Sequence, residues 1–329
     1  MKKRIVAIGG GTGTYAVLRG LKRYADQVEL TAVISMADSG GSTGRLRDEF
    51  GQLPVGDVRM ALAALAGENG RSEQLLRELF LYRFDRGTGL SGHNFGNLFL
   101  TALTQLTGSE AAAVEAAASL LRITGQVLPV TADNVHLAAT YDDGVEVIGE
   151  HAIDAPPPER REHRIVSLRT EPVASLNPAV AEAIQAADLI VLGPGDLYSS
   201  LLANVVVEGM PEALRASGGT FTYVANLMER PGQTTGMGQA AHVAEVARYA
   251  ERTPDVVLIN DTPLPEALVN RYVSEKNAHP IVDDLSSTAV VRTDLCATTG
   301  ATHTPGDLLE RSLIRHDVEK LATALLELL

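Results

Sequence analysis

Residues 9–13 read Gly-Gly-Gly-Thr-Gly and follow a short apolar run, Ile5-Val6-Ala7-Ile8. A glycine turn between a strand and a helix lets a phosphate reach backbone N–H groups at the helix N-terminus. No Cβ blocks the approach, and φ > 0 is open to the chain. The spacing leaves the ligand open. Ala16 stands where a dinucleotide fingerprint counted from Gly11 would close on glycine, and no Lys-Ser/Thr pair follows as in a P-loop. A tight turn with no ligand is the alternative.

Three more segments have chemistry of the same kind. Ala37-Asp38-Ser39-Gly40-Gly41-Ser42-Thr43-Gly44-Arg45-Leu46-Arg47 combines exposed N–H groups, hydroxyls and guanidinium groups suited to an anion. Asp38 suits a ribose hydroxyl or a divalent cation. The competing reading is that Ser42 or Thr43 merely caps a helix. Gly193-Pro194-Gly195-Asp196-Leu197-Tyr198-Ser199-Ser200, with Asn204 beyond it, is a second strand-ending turn able to take a phosphate or a base edge and sugar. Asn226 closes a further strand, and Gly232–Gly236 reads as a flexible loop. Between them lie Gly56-Asp57-Val58-Arg59 and Gly92-His93-Asn94-Phe95-Gly96-Asn97. There Asp57 reads equally as a helix cap, Arg59 as a surface ion-pair partner, and His93 as a structural hydrogen-bonder. Four strand-end loops of this type exceed what capping explains and imply one crevice for a nucleotide-sized anion. No catalytic residue is assigned, and no metal-ligand set is: H-x-x-x-H and C-x-x-C spacings are absent.

Positioning such loops takes a parallel α/β sheet, and apolar runs alternate with helical patterns accordingly. Expected strands are 4–8, 29–35, 189–192, 220–224 and 256–260, with a helix over 14–22. Residues 57–125 read as an alanine- and leucine-rich helical insertion, including a helix at 111–121. Residues 125–173 read as a small β-rich segment with strands at 127–130, 136–140, 145–150 and 164–168, turning at Asp142-Asp143-Gly144. Residues 155–162 form an exposed Pro-rich loop, and 317–329 a terminal amphipathic helix. The whole chain, 1–329, reads as one domain.

Composition bounds the partners. The formal net charge of −13 argues against non-specific nucleic-acid binding, and the absence of Trp with only 4% aromatic residues argues against base stacking. The lone Cys296 excludes an intrachain disulfide and suits a reducing compartment. The basic start, Met1-Lys2-Lys3-Arg4, precedes an apolar run too short for a signal core, and no apolar stretch has membrane-spanning length. A cytoplasmic protein with no membrane insertion is expected, with homo-oligomerisation left open.

The motifs GGGTG, MADSGGSTGRLRDEFGQLPVGD, GHNFGNL, GQVLPVT, ADLIVLGPGDLYSS, ANLMERPGQTTG and IRHDVEKLA occur in this order across nearly the whole chain. Together they resemble the gluconeogenesis-factor (YvcK-like) branch of the CofD-like family. The resemblance implies a three-layer, Rossmann-like α/β fold with added helices. One branch implies a 2-phospho-L-lactate transferase that uses a nucleotide-activated donor, a deazaflavin acceptor and Mg²⁺. The other implies a cytoplasmic factor that binds UDP-N-acetylglucosamine and is linked to gluconeogenic growth, cell shape and wall synthesis. The GG-[ST]-[ST]-GRLR run and the Arg315-His316-Asp317 stretch favour the second branch.

By the same resemblance, Gly10, Gly11, Thr12 and Gly13 line a diphosphate, and Asp38, Gly40, Gly41, Ser42 and Thr43 form the facing wall. Gly193, Pro194, Gly195, Asp196, Leu197, Tyr198, Ser199, Ser200, Asn204 and Asn226 supply the nucleoside side. His93, Asn94 and Asn97 fall near the sugar. Two departures push toward binding rather than catalysis: Ser39 stands where the family has a second Asp, and Met60 where it has an amide. The lost carboxylate lowers the expected capacity for Mg²⁺, which is expected only under the transferase reading.

Overall fold

A computed structural model describes residues 1–286, 289–298 and 313–329. Its frame is a seven-stranded parallel sheet in the order β10-β9-β8-β7-β1-β2-β3. The strands are β1 (Lys3–Gly9), β2 (Val28–Ile34), β3 (Gln126–Pro129), β7 (Leu189–Leu192), β8 (Thr220–Val224), β9 (Val256–Asn260) and β10 (Val290–Thr293). The central strands are buried on both faces, which is why β1 and β7 carry continuous apolar runs, while the edge strand β10 is half exposed. Val6, Ile8, Ile190, Leu192, Phe221 and Tyr223 pack on one side. Ile5, Ala7, Ala32, Ile34, Leu189 and Val191 pack on the other.

From β1 the chain builds outward to β2 and β3, then returns to place β7 against the opposite edge of β1. The order therefore reverses between β1 and β7, and the connections leaving those two strands diverge. In open parallel sheets such a switch point opens a crevice at the carboxyl ends of the strands.

The five strands expected for the parallel sheet sit in it at nearly the expected bounds. Helix α1 (Gly11–Leu21) begins inside the glycine turn, three residues before the expected start. Helices α2 (Gly41–Phe50), α3 (Gly56–Leu65), α4 (Arg71–Leu81), α5 (Phe95–Thr107) and α6 (Glu110–Leu120) fill the stretch between β2 and β3. The expected strand at 127–130 does not belong to the β-rich segment. It is β3, paired in parallel with β2 at the edge of the main sheet. The small sheet is β5-β4-β6, from β4 (His136–Tyr141), β5 (Glu146–Ile148) and β6 (Ile165–Glu171), antiparallel throughout. Its hairpin turns at Asp142–Gly144 as expected, where the Asp143 carboxylate accepts from the Val145 N–H.

The strand expected over 145–150 stops at Ile148, and helix α7 (Glu150–Asp154) starts immediately after. In the Pro-rich loop, Pro156 is buried rather than exposed. The terminal helix, Val318–Leu326, is capped by Asp317, which accepts from the N–H groups of Glu319 and Lys320. It closes on α1, where Gly20 lets the two backbones meet. Among the described residues no helix is long and apolar enough to cross a membrane.

Candidate functional site: a carboxylate-floored crevice

The loops leaving β1 and β7 touch. A Cβ on Gly13 would overlap the Pro194 carbonyl, so the close approach requires glycine there. Gly11 opens α1 at φ +61 and Gly41 opens α2 at φ +50, both in the left-handed region. Asn204 stitches the two loops together, donating to the carbonyls of Gly9 (3.3 Å) and Ser200 (2.8 Å).

An aspartate sits against each glycine loop, Asp38 from the second loop itself and Asp57 from the first turn of α3. The Gly40 N–H donates to Asp38 at 2.9 Å. The Gly11 N–H donates to Asp57, whose carboxylate also fills the space a Cβ on Gly10 would need. The Asp38 carboxylate leaves no room for a side chain at Gly56. Beneath them runs a buried relay. Thr43 hydrogen-bonds to Asp38, Asn97 Nδ2 donates to Thr43 Oγ1 (3.3 Å), and Arg59 Nε donates to Asn97 Oδ1 (2.7 Å). Arg59 is only 6% exposed, so the expected surface ion pair is wrong: its charge faces the Asp38 and Asp57 carboxylates.

The small sheet delivers two more carboxylates through α7. Ser39 Oγ accepts from the His151 N–H (2.9 Å), docking α7 on the second glycine loop. Glu150 and Asp154, one helical turn apart on α7, both act electrostatically on Asp38. Asp154 is held by Arg230 Nη2 (2.8 Å), Ser199 Oγ (3.3 Å) and Gln233 Nε2 (3.4 Å). Asp196 lies 3.8 Å from Arg230 Nε.

These carboxylates are half-buried, partly reached by water but surrounded by protein. Burial, reinforced by Asp38, pushes the Asp57 carboxyl up to about 7. Burial raises Glu150 well above the usual range, with Asp38, Asp154 and Asp57 adding repulsion. Asp38 rises through burial against the pull of its Gly40 and Thr43 hydrogen bonds. Asp196 rises through burial, opposed by Arg230. Such a site gains from any added positive charge.

The expected shortage of carboxylates is therefore overturned. Ser39 spends its side chain on α7, and α7 brings the acids that the second loop lacks. Their signal was present in the sequence: Glu150 and Asp154 at i,i+4 repel on an isolated helix, a local cost that calls for an outside partner.

The remaining expected residues divide. Gly10, Gly11, Thr12, Gly13, Asp38, Gly40, Gly41, Thr43, Gly193, Pro194, Gly195, Asp196, Ser199, Ser200 and Asn204 gather at the crevice loops, and Asn97 supports them from beneath. Ser42 and His93 bond to each other (3.1 Å) and are buried, and burial lowers the His93 pKa. Neither Ser42 nor Thr43 caps α2, whose N-cap is Gly40 with no side-chain bond. Asn94 is a helix cap, accepting from the N–H groups of Gly96 and Asn97 and donating to the Leu81 carbonyl. Leu197 and Tyr198 point into the core, where the Tyr198 hydroxyl meets the Ile165 carbonyl and Glu245. Asn226 follows β8, its backbone carbonyl bonded to Gln239 (2.8 Å).

The loop at 232–236 is pinned rather than flexible. Gln233 and Thr234 are buried, the Ile165 N–H donates to the Gln233 carbonyl, and Thr235 Oγ1 donates to the Arg161 carbonyl.

The profile of the family described as 2-phospho-L-lactate transferase CofD matches residues 5–299. A protein of Thermotoga maritima named putative gluconeogenesis factor is 40% identical, with 97% of each chain covered. The gluconeogenesis factor of Bacillus subtilis is 35% identical over 100% of this chain and 98% of its own. A crystal structure of a Bacillus halodurans protein superposes with a TM-score of 0.88 at 33% identity, covering 99% of this chain and all of the other.

Proposed function

This chain belongs to the CofD family, and on that footing we propose that it is a regulatory factor of gluconeogenic growth that binds a nucleotide sugar of the UDP-N-acetylglucosamine type. Through that ligand it would link carbon supply to cell shape and cell-wall synthesis in the cytoplasm. The observation that carries the reading is the contact of the β1 and β7 loops at the switch point, Gly13 against the Pro194 carbonyl. Two helix N-termini and a hydroxyl-lined turn converge there on one crevice.

In this reading the diphosphate lies over Gly10–Gly13 and the nucleoside runs toward Gly193–Ser200. A diphosphate beside so many carboxylates needs cation charge, and the donor set suits the ion associated with the transferase branch. Asp38 from the loop after β2, Asp57 from the first turn of α3 and Glu150 from the start of α7 offer hard oxygens, the ligand type Mg²⁺ selects. When bound, the ion would neutralise the diphosphate.

Calorimetric titration with UDP-N-acetylglucosamine, GTP and NAD, each with and without Mg²⁺, tests the reading. The expected result is preferential binding of the nucleotide sugar with no turnover, weakened at least about tenfold by Asp38→Ala. Binding of GTP and Mg²⁺ alone, followed by transfer of a phospholactyl group, would overturn it.

A further inference from the structure

Arg230 lies at the Asp154–Asp196 end of the crevice, and the proposed ligand contacts do not include it. We propose that Arg230 is a built-in counter-ion that holds the Asp154–Asp196 end of the crevice in its charged, ordered form without a metal ion. This deepens the reading above by confining divalent-cation dependence to the Asp38–Asp57–Glu150 end.

Three observations converge. The guanidinium is fixed to Asp154 twice: Nη2 donates to the carboxylate Oδ2 and to the backbone carbonyl, each at 2.8 Å. Its Nε faces Asp196 Oδ2 at 3.8 Å, so one planar cation serves two carboxylates. The other Asp154 oxygen, Oδ1, already accepts from Ser199 Oγ and Gln233 Nε2. Both oxygens are thus engaged by protein donors, an arrangement that matches an ion pair rather than a waiting metal ligand.

Arg230 is also delivered rigidly. Its own N–H donates to Thr234 Oγ1 (2.9 Å), and its carbonyl accepts from the N–H groups of Gln233 and Thr234 (both 2.9 Å). The pinned loop at 232–236 therefore sets the position of the guanidinium. Lys276 adds a weaker attraction to Asp196, and Glu150 reinforces the field that keeps Arg230 charged. A hydrated divalent ion taking Asp154 as a ligand would have to displace the charge-assisted hydrogen bond from Arg230.

Removing the guanidinium leaves Asp154 and Asp196 facing each other with only the weaker pull of Lys276, a repulsion that an added divalent cation relieves. The test uses apo protein, so it stands apart from nucleotide binding. Thermal unfolding is measured for the wild type, Arg230→Gln and the double variant Arg230→Gln/Asp154→Asn, in EDTA and in millimolar Mg²⁺.

Arg230→Gln is expected to lose about 5 °C or more in EDTA. Mg²⁺ should recover much of that loss, raising the variant more than it raises the wild type. The double variant, with one charge fewer, should regain stability in EDTA and lose the extra Mg²⁺ response. An Arg230→Gln protein as stable as wild type, or one rescued by neither Mg²⁺ nor Asp154→Asn, would overturn the proposal and leave Arg230 a packing residue. A wild type that binds no nucleotide sugar but shows this pattern would sink the functional reading and leave the counter-ion intact.

Discussion

Replacing Asp57 with asparagine should make the apo protein more stable at neutral and alkaline pH. The Asp57 carboxyl is pushed from 3.8 to about 7, first by burial and then by Asp38. Between those two values the folded protein keeps a proton that the unfolded chain has released. Stability therefore falls as pH rises from about 4 through about 7, and flattens above. A shift of about three units corresponds to about 4 kcal/mol, and water in the cleft lowers this to about 2–4 kcal/mol. The asparagine amide has no charge to desolvate and still offers an oxygen to the Gly11 N–H. The two proteins should match near pH 4. At pH 8 the Asp57→Asn variant should melt about 4–8 °C higher, taking about 2 °C per kcal/mol for a chain of this size. Thermal unfolding from pH 4 to 8 in EDTA reads this directly; the chelator matters because a bound cation would relieve the same strain. Asp38 and Glu150 keep a residual slope in the variant, since both are also raised. A variant that is no more stable than wild type at pH 8, with an unchanged slope, would refute the account of the cleft as a strained carboxylate cluster.

Two other substitutions separate positions that look alike in the sequence. Gly13→Ala drives a Cβ into the Pro194 carbonyl and should cost about 1–3 kcal/mol and weaken nucleotide-sugar binding, whereas Gly11→Ala meets no atom and should cost only about 1 kcal/mol for its positive φ; denaturant melts and titration compare them. Asn94→Ala should remove a helix cap worth about 1–2 kcal/mol yet leave nucleotide-sugar affinity within about twofold, and an affinity loss beyond about tenfold would put the side chain back in the crevice.

The division between what the sequence showed and what it hid follows from range. Strands β1, β7 and β9 are buried on both faces, so each announces itself as a nearly continuous apolar run, and each leads into a glycine or an amide residue at the carboxyl edge of the sheet. The crevice loops were legible for the same reason. Their glycines answer local demands, such as the positive φ of Gly11 and Gly41, that composition displays at short range.

What escaped was set by contacts across the fold. Glu150 and Asp154 reach the cleft only because a hairpin from the small sheet docks α7 on Ser39, 112 residues away from His151. Arg59 reads as a surface charge until α5 places Asn97 over it. The β-rich segment lost β3 to the main sheet because Val127 and Leu128 complete opposite faces of that sheet, a fact of pairing with β2 rather than of pattern. Ser39 shows the consequence for function. As a missing carboxylate in a short motif it argued for a site poor in negative charge. In the fold its hydroxyl docks the helix that carries two acids, so the crevice is rich in negative charge even though the short motif has one carboxylate fewer. A motif read residue by residue records which ligands a loop has lost, while the docking of a neighbouring element decides what the site contains.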